Sequence, residues 1–218
     1  MKYYDSGVKT SFNGVMISER DKNVNFTELK EAGVDFVMVC AGYRDRITGE
    51  IVADANFDRN VRNSFEKDMY VGVYFNGYAD DIVSAREEAE FLLGKVGDRE
   101  ITYPVTYCLE PFEDTAEAKD TTGITVRTDN VLEALSILED EGYLTMVGGD
   151  KETLVTKLDL TMFADRKIWL IEPDDIPNYP YEFAIWSYSK GESIPGTEGR
   201  YRLLIGLEDL NLRQAVKE

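Results

Sequence analysis

Residues 102–114 read TYPVTYCLEPFED. Tyr103, Val105, Tyr107 and Leu109 fall at alternate positions, the two-residue period of a strand with a buried face. Glu110 arrives where the apolar run stops. The segment reads as a buried strand that ends by presenting an acid.

On its N-terminal side, DDIVSAREEAEFLLGKV (80–96) sets Ile82, Ala85, Ala89, Leu92 and Leu93 at helical spacing, with Asp80 or Asp81 as cap. YVGVYFNGYA (70–79) is a strand, and DANFDRNVRNSFEKDM (54–69) carries Phe57, Val61, Phe65 and Met69 at intervals of four on one helix face. DFVMVCAGY (35–43) is too continuously apolar to face water on either side. FTELKEAG (26–33) is a short helix stopped by Gly33, and GVMIS (14–18) a strand before it.

On the C-terminal side, the polar loop PFEDTAEAKDTTG leads into a helix with Val131, Leu135 and Leu138, stopped at Gly142. YLTMVGG (143–149), a short helix near 150–160, KIWLIEP (167–173), FAIWSYS (183–189) and RYRLLIG (200–206) follow. Strands alternating with helices predict a mostly parallel sheet covered by helices, and about eight strands in roughly 200 residues suit a closed α/β barrel. No linker or composition break divides residues 1–218, so one domain is expected.

Composition narrows the chemistry. The 42 acids against 24 bases leave a formal charge of −18, which repels nucleic-acid phosphates and anionic lipid. No apolar run reaches the length of a membrane span, and no Sec-type signal is visible at the N-terminus, so synthesis in the cytoplasm is expected. The chain has no histidine. That removes the usual base for Cys40 or Cys108, which read as buried free thiols, and leaves acid–base work to carboxylates, Tyr or Lys. No metal constellation or cofactor motif is evident.

In such barrels functional groups gather at the C-terminal strand ends. A site drawn from those ends has Glu110 at its centre with Tyr43, Tyr78, Trp186 and Tyr188 around it. Flat rings beside a carboxylate suit a sugar cleft; equally, the same rings can be core and rim packing.

FNGVMIS, GVDFVMVCAGY, DANFDRNVRNSFEKDMYVGVYFNGYA, AREEAEFLL, YPVTYCLE, GYLTMVGG, KIWLI and IWSYSKGESIPGTEGRYRLL stand in the order and spacing of glycoside hydrolase family 25. The chain resembles these Chalaropsis-type lysozymes (N-acetylmuramidases) over about residues 12–210. The resemblance implies an irregular TIM-like (β/α) barrel and cleavage of the β-1,4 bond between N-acetylmuramic acid and N-acetylglucosamine in peptidoglycan. It also implies four acids, of which this chain keeps one. Met16 stands where the first strand of the family carries Asp, Cys108 at the first acid of the fourth strand, and Arg202 at the acid of the last motif. Glu110, the family's proton donor, remains.

Glycoside cleavage needs one carboxylic acid to protonate the leaving oxygen and a second carboxylate opposite it. Glu110 can fill only the first role, and an arginine at position 202 placed to pair with it would draw its proton away. Glu19, Asp21, Glu172, Asp174, Glu113 and Asp114 read as solvated surface acids rather than replacements. Three functions stand open: an inactive lysozyme-fold protein serving as a binding or structural part, including of a phage or tail-like particle; an active or weak peptidoglycan hydrolase released by lysis; and a glycan-binding module. The expected partners are peptidoglycan glycan or other protein chains of an assembly.

Overall fold

The computed structural model describes residues 4–5, 8–97, 99–109 and 120–212. A two-residue hairpin, β1 (Tyr4–Asp5) with β2 (Val8–Lys9), precedes β3 (Phe12–Ile17). There follow α1 (Phe26–Glu31), β4 (Phe36–Arg44), β5 (Ile51–Ala53), α2 (Phe57–Glu66), β6 (Tyr70–Gly77), α3 (Ile82–Val96) and β7 (Val105–Leu109). The second half holds α4 (Ile124–Asp140), β8 (Thr145–Gly149), α5 (Lys151–Lys157), a 3-10 turn at Leu160–Phe163, β9 (Lys167–Ile171), β10 (Ile185–Ser187) and β11 (Arg202–Gly206).

The strands are hydrogen-bonded in the order β3, β11, β10, β9, β8, β7, β6, β4, and β3 pairs again with β4, so eight strands close a barrel. All neighbours are parallel except β11, which runs antiparallel to both β10 and β3. The last strand therefore brings its start, not its end, to the mouth where the other strands finish. β5 is a short antiparallel addition on the outer edge of β4, made possible by a bulge between Cys40 and Gly42. Gly42 sits at φ 153°, and a Cβ there would lie 2.2 Å from the Val52 carbonyl oxygen, so only glycine fits.

Local chemistry sets the helix starts. Asn25 accepts from the Thr27 and Glu28 amides, Asp81 from Ser84 and Asp150 from Thr153, each satisfying a donor that the first turn leaves open. Period-two alternation sorts the strand residues into two cores. Met16, Phe36, Met38, Cys40, Tyr74, Cys108, Met146, Trp169, Ile185 and Leu204 fill the barrel interior. Val37, Val39, Val71, Val73, Val105, Tyr107 and Val147 point outward against Leu29, Leu92, Leu135 and Leu138 of the helices. Each of those leucines is fully buried and contributes roughly 1.5–3 kcal/mol. Bulk inside the barrel is matched by glycine: a Cβ on Gly14 would fall 2.2 Å from the Phe36 ring. Helices cover the barrel as far as β8 and β9, whereas extended segments join β9 to β10 and β10 to β11.

Candidate functional site

The mouth is approached by inward-facing residues toward the C-terminal end of each parallel strand and at the start of β11, with Asn76 and Ile171 further out on β6 and β9. Going round the barrel, the inward-facing residues are Met16 on β3, Cys40 on β4, Tyr74 on β6, Cys108 on β7, Gly148 on β8, Trp169 on β9, Ser187 on β10 and Arg202 on β11. Met16 and Arg202 are direct Cα partners across the β3–β11 ladder. Cys108 is 1% exposed and packs onto Gly148, whose Cβ, were there one, would lie 2.7 Å from the Cys108 sulfur. The Tyr74 hydroxyl hydrogen-bonds Cys40, and burial followed by the Cys40 thiol pushes the phenol well above its ordinary pKa. Among the described residues, none of the inward strand positions carries a carboxylate.

Asp21 is the exception above the mouth. It lies in the loop after β3, where its carboxylate accepts from the Ser18 amide at 2.8 Å and the Ser18 hydroxyl at 3.2 Å. Burial raises its pKa, against those two hydrogen bonds and the charges of Arg202 and Arg20. Its charge is also felt by Tyr74 inside the barrel and by Tyr201. Asp21 is thus not the solvated surface acid that its sequence context suggests: the loop folds back over the barrel end and half-buries it. The same loop is pinned by Asp54, which is 6% exposed and accepts from the Glu19 amide at 2.7 Å and the Asn56 amide at 2.9 Å. Glu19 returns the contact by accepting from the Ala55 amide at 3.1 Å. Glu172 accepts from the Asn178 amide and Asp174 from the Asp175 amide, so both serve their own loop.

Sequence reading passed over Asp54, although an Asp just before a helix start is a recognisable turn signal. It also passed over Glu88. This α3 carboxylate is fully buried behind the mouth and accepts from Tyr107, from Arg44 at 2.6 Å and from the Tyr78 amide at 3.1 Å. It ties the ends of β4 and β6 to α3.

The four aromatic candidates fall into two pairs. Tyr43 lies near the end of β4 and Tyr78 just after the neighbouring β6; Tyr43 is 36% exposed, and Arg46 lies 4.7 Å above the Tyr78 ring. Trp186 and Tyr188, three or more strands away round the barrel, lie 5.6 Å apart. Trp186 has outward parity, packs in the outer core and donates its indole N–H to the Glu172 carbonyl. Its apolar surroundings are those of a packing residue.

Glu110, Glu113 and Asp114 lie outside the described residues, and so does the expected Glu110–Arg202 pairing. Among the described residues no carboxylate lies within ion-pair distance of Arg202, and no group of three His, Cys, Asp or Glu side chains could hold a metal. A separate cleft of about 830 Å³ opens at the opposite end, between the start of β9 and the segment leading to β10, lined by Lys167, Ile168, Tyr179, Phe183 and Leu207.

The sequence profile of glycosyl hydrolases family 25 matches residues 15–197. A comparison with curated protein sequences finds no match. Among solved structures, the modular autolysin LytC from Streptococcus pneumoniae is similar at TM-score 0.77 and 18% identity, covering 94% of this chain and 51% of LytC. The CTP1L endolysin gives TM-score 0.75 at 18% identity over 94% of this chain and 69% of its own. A family 25 glycosyl hydrolase from Bacillus anthracis gives TM-score 0.77 at 16% identity, with 94% and 92% covered. At these identities the likeness speaks for the fold, and the chain spans about half the length of LytC.

Proposed function

The chain belongs to glycosyl hydrolases family 25, the lysozyme-type peptidoglycan hydrolases, and from that premise we propose that its barrel mouth binds peptidoglycan glycan without hydrolysing it. The observation that carries this reading is the Met16–Arg202 pair. These two residues face each other across adjacent strands at the mouth, so a thioether and a cation stand where the resemblance implies two acids. Cys108 adds a third neutral side chain, 1% exposed.

A glycosidase must stabilise an oxocarbenium-like centre with negative charge while a second carboxyl delivers a proton. Met16 and Cys108 supply no carboxylate to carry that charge, and Arg202 carries the opposite one. Glu110 is the acid left from the family's four. A cation within about 4–6 Å lowers a carboxyl pKa by roughly 1–3 units, whereas a proton donor working near neutrality needs it raised. Tyr43 supplies exposed ring surface beside the mouth for a sugar face, with the half-buried Tyr78 next to it under Arg46. LytC has been solved with a synthetic peptidoglycan ligand, and its likeness to this chain, TM-score 0.78, supports a glycan as occupant here too. A place at the cell wall after lysis, or within a phage-type particle that meets it, is part of the proposal.

The test is a pair of measurements on purified cell walls: co-sedimentation of the protein, and release of reducing ends. Binding without release above buffer is expected, with Cys108→Asp run beside the wild type. Rapid wall lysis by the wild type, abolished in Glu110→Gln, refutes the proposal.

One observation favours a second reading. Asp21 places a half-buried carboxylate within electrostatic reach of Arg202 and Tyr74, and could serve Glu110 as the second carboxylate of a weak muramidase. Under that reading Asp21→Asn and Glu110→Gln each abolish a slow release.

A further inference from the structure

We propose that the cleft at the end of the barrel opposite the mouth docks a basic segment of another protein chain, with apolar anchors in the cleft and cationic side chains on its acidic rim. This inference is independent of the glycan reading, which concerns the other end of the barrel.

The cleft exists because β9 and β10 are joined by an extended segment and not by a helix. α5 and the 3-10 turn form one wall through Leu158, Leu160 and Phe163, and the residues leading into β10 form the other through Tyr179, Tyr181 and Phe183. Tyr179 meets Tyr181 and Phe183 edge-on, with 5.6 and 6.3 Å between ring centres, so the second wall is an aromatic cluster held in place by its own contacts. The space between the walls, about 830 Å³, is of the size that takes a small ligand or a few side chains. The apolar surface continues past the cleft. Val155, Tyr181 and Leu207 at its edge, and Met162 between the lining residues Thr161 and Phe163, are 40–57% exposed. Single exposed apolar side chains are ordinary. Four around one apolar cleft extend the patch beyond what a small molecule covers, as on a protein-binding surface.

Charge selects the partner. Asp159, Asp165, Glu182 and Glu208 line the cleft against Arg166 and Lys167. Both cations are already held, Arg166 by Glu139 at 2.8 Å and Lys167 by Glu208 at 2.7 Å. Asp159 caps the 3-10 turn. Asp165 and Glu182 are exposed, and among the described residues neither has a cation within ion-pair distance. The rim is therefore negative around an apolar floor. A second copy of this chain would bring its own formal charge of −18 to the contact, so self-association works against the field, whereas a cationic segment is drawn in by it.

The test pans a library of short random peptides displayed on phage against the whole chain, then measures the enriched peptides, synthesised with a fluorophore, by anisotropy. Enriched sequences should combine Lys or Arg with aromatic or aliphatic anchors, and their affinity should fall as salt rises. Tyr181→Ser and Leu207→Ser alter exposed side chains and should leave the circular dichroism melt unchanged; each should weaken binding about tenfold, the loss expected of an apolar anchor contact. The double variant Asp165→Lys, Glu182→Lys should weaken binding and flatten its salt dependence. Four results overturn the inference: no enrichment, enrichment of neutral or acidic peptides, binding indifferent to Tyr181→Ser and to the charge reversal, and a dimer in sedimentation that Leu207→Ser dissolves. The last assigns the cleft to a second copy. A fall in cell-wall co-sedimentation in Tyr181→Ser also overturns it, by giving the cleft to the wall.

Discussion

Glu88→Ala should be among the most costly single changes in the chain. The Glu88 side chain is fully buried and accepts hydrogen bonds from the Tyr107 hydroxyl, Arg44 Nε and the Tyr78 amide. Burial pushes its carboxyl upward, against the hydrogen bonds from Tyr107 and Arg44. Truncation strands the 1% exposed Tyr107 hydroxyl and the Tyr78 amide, each worth about 1–3 kcal/mol when left without a partner. Arg44 keeps Glu87 at 3.1 Å and the Gly49 and Ser84 carbonyls, which softens the loss on that side. The sum agrees with the roughly 3–5 kcal/mol expected when one partner of a buried ion pair is removed. A domain of this size has about 5–15 kcal/mol in total, and each kcal/mol moves Tm by roughly 2–4 °C, so a fall of about 6–20 °C is expected. Urea unfolding at pH 7 measures it, with Glu87→Ala as control. Glu87 pairs with the same arginine, but its side chain is 57% exposed and its loss should cost at most about 1 kcal/mol. If the two variants lose the same stability, or Glu88→Ala loses less than about 1 kcal/mol, the buried network is not what joins α3 to the barrel.

Three further outcomes are expected. Gly148→Ala places a methyl 2.7 Å from the Cys108 sulfur and 3.2 Å from Thr106, and should cost about 1–3 kcal/mol by urea unfolding; Cys108→Ala in the same chain should recover part of it. Cys40 and Cys108 sit on strands either side of β6, offset by two residues along the ladder as well as by two strand spacings of together roughly 9–10 Å, beyond the ~7 Å that a disulfide spans, so mass spectrometry after mild oxidation should still find two thiols. Burial raises Asp120, but the Lys157 hydrogen bond and the Arg127 and Lys157 charges outweigh it and hold its carboxyl low, so its stabilisation exists above the unfolded value of about 3.9 and is lost as pH falls below that. Asp21 is raised chiefly by burial, so its contribution is present at low pH and lost as pH rises through its folded value. Urea midpoints from pH 3 to 7 should show the Asp120→Asn defect growing with pH while Asp21→Asn gains on the wild type.

What the sequence disclosed, and what it hid, follows from how local each signal is. DFVMVCAGY and YVGVYFNG announce buried parallel strands because both faces of β4 and β6 must be apolar, one against the barrel interior and one against helices. Strand direction is a property of the partner, and nothing in RLLIG distinguishes the antiparallel β11 from its parallel neighbours. β5 depends on a bulge that only the Gly42 backbone reveals, and the alternation in TYPVTYCL marks a strand without saying that Tyr107 looks outward to Glu88 while Cys108 looks in. Positions 16, 108 and 202, where the family resemblance implies acids, were legible only through that resemblance, and strand parity adds where their side chains point once the barrel is granted. Loop residues have no such parity. Asp21 looks like a solvated acid in SERDKN, and only the return of that loop over the barrel end, fastened by Asp54 to the Glu19 amide, gives it a neighbour in Arg202. The chemistry of the mouth therefore turns on two charges of different legibility. The cation was written into a strand. The anion reached it through tertiary folding, which is why Asp21→Asn and Arg202→Gln are informative as a pair: coupling between them would show that the loop, and not the strands alone, sets what the mouth accepts.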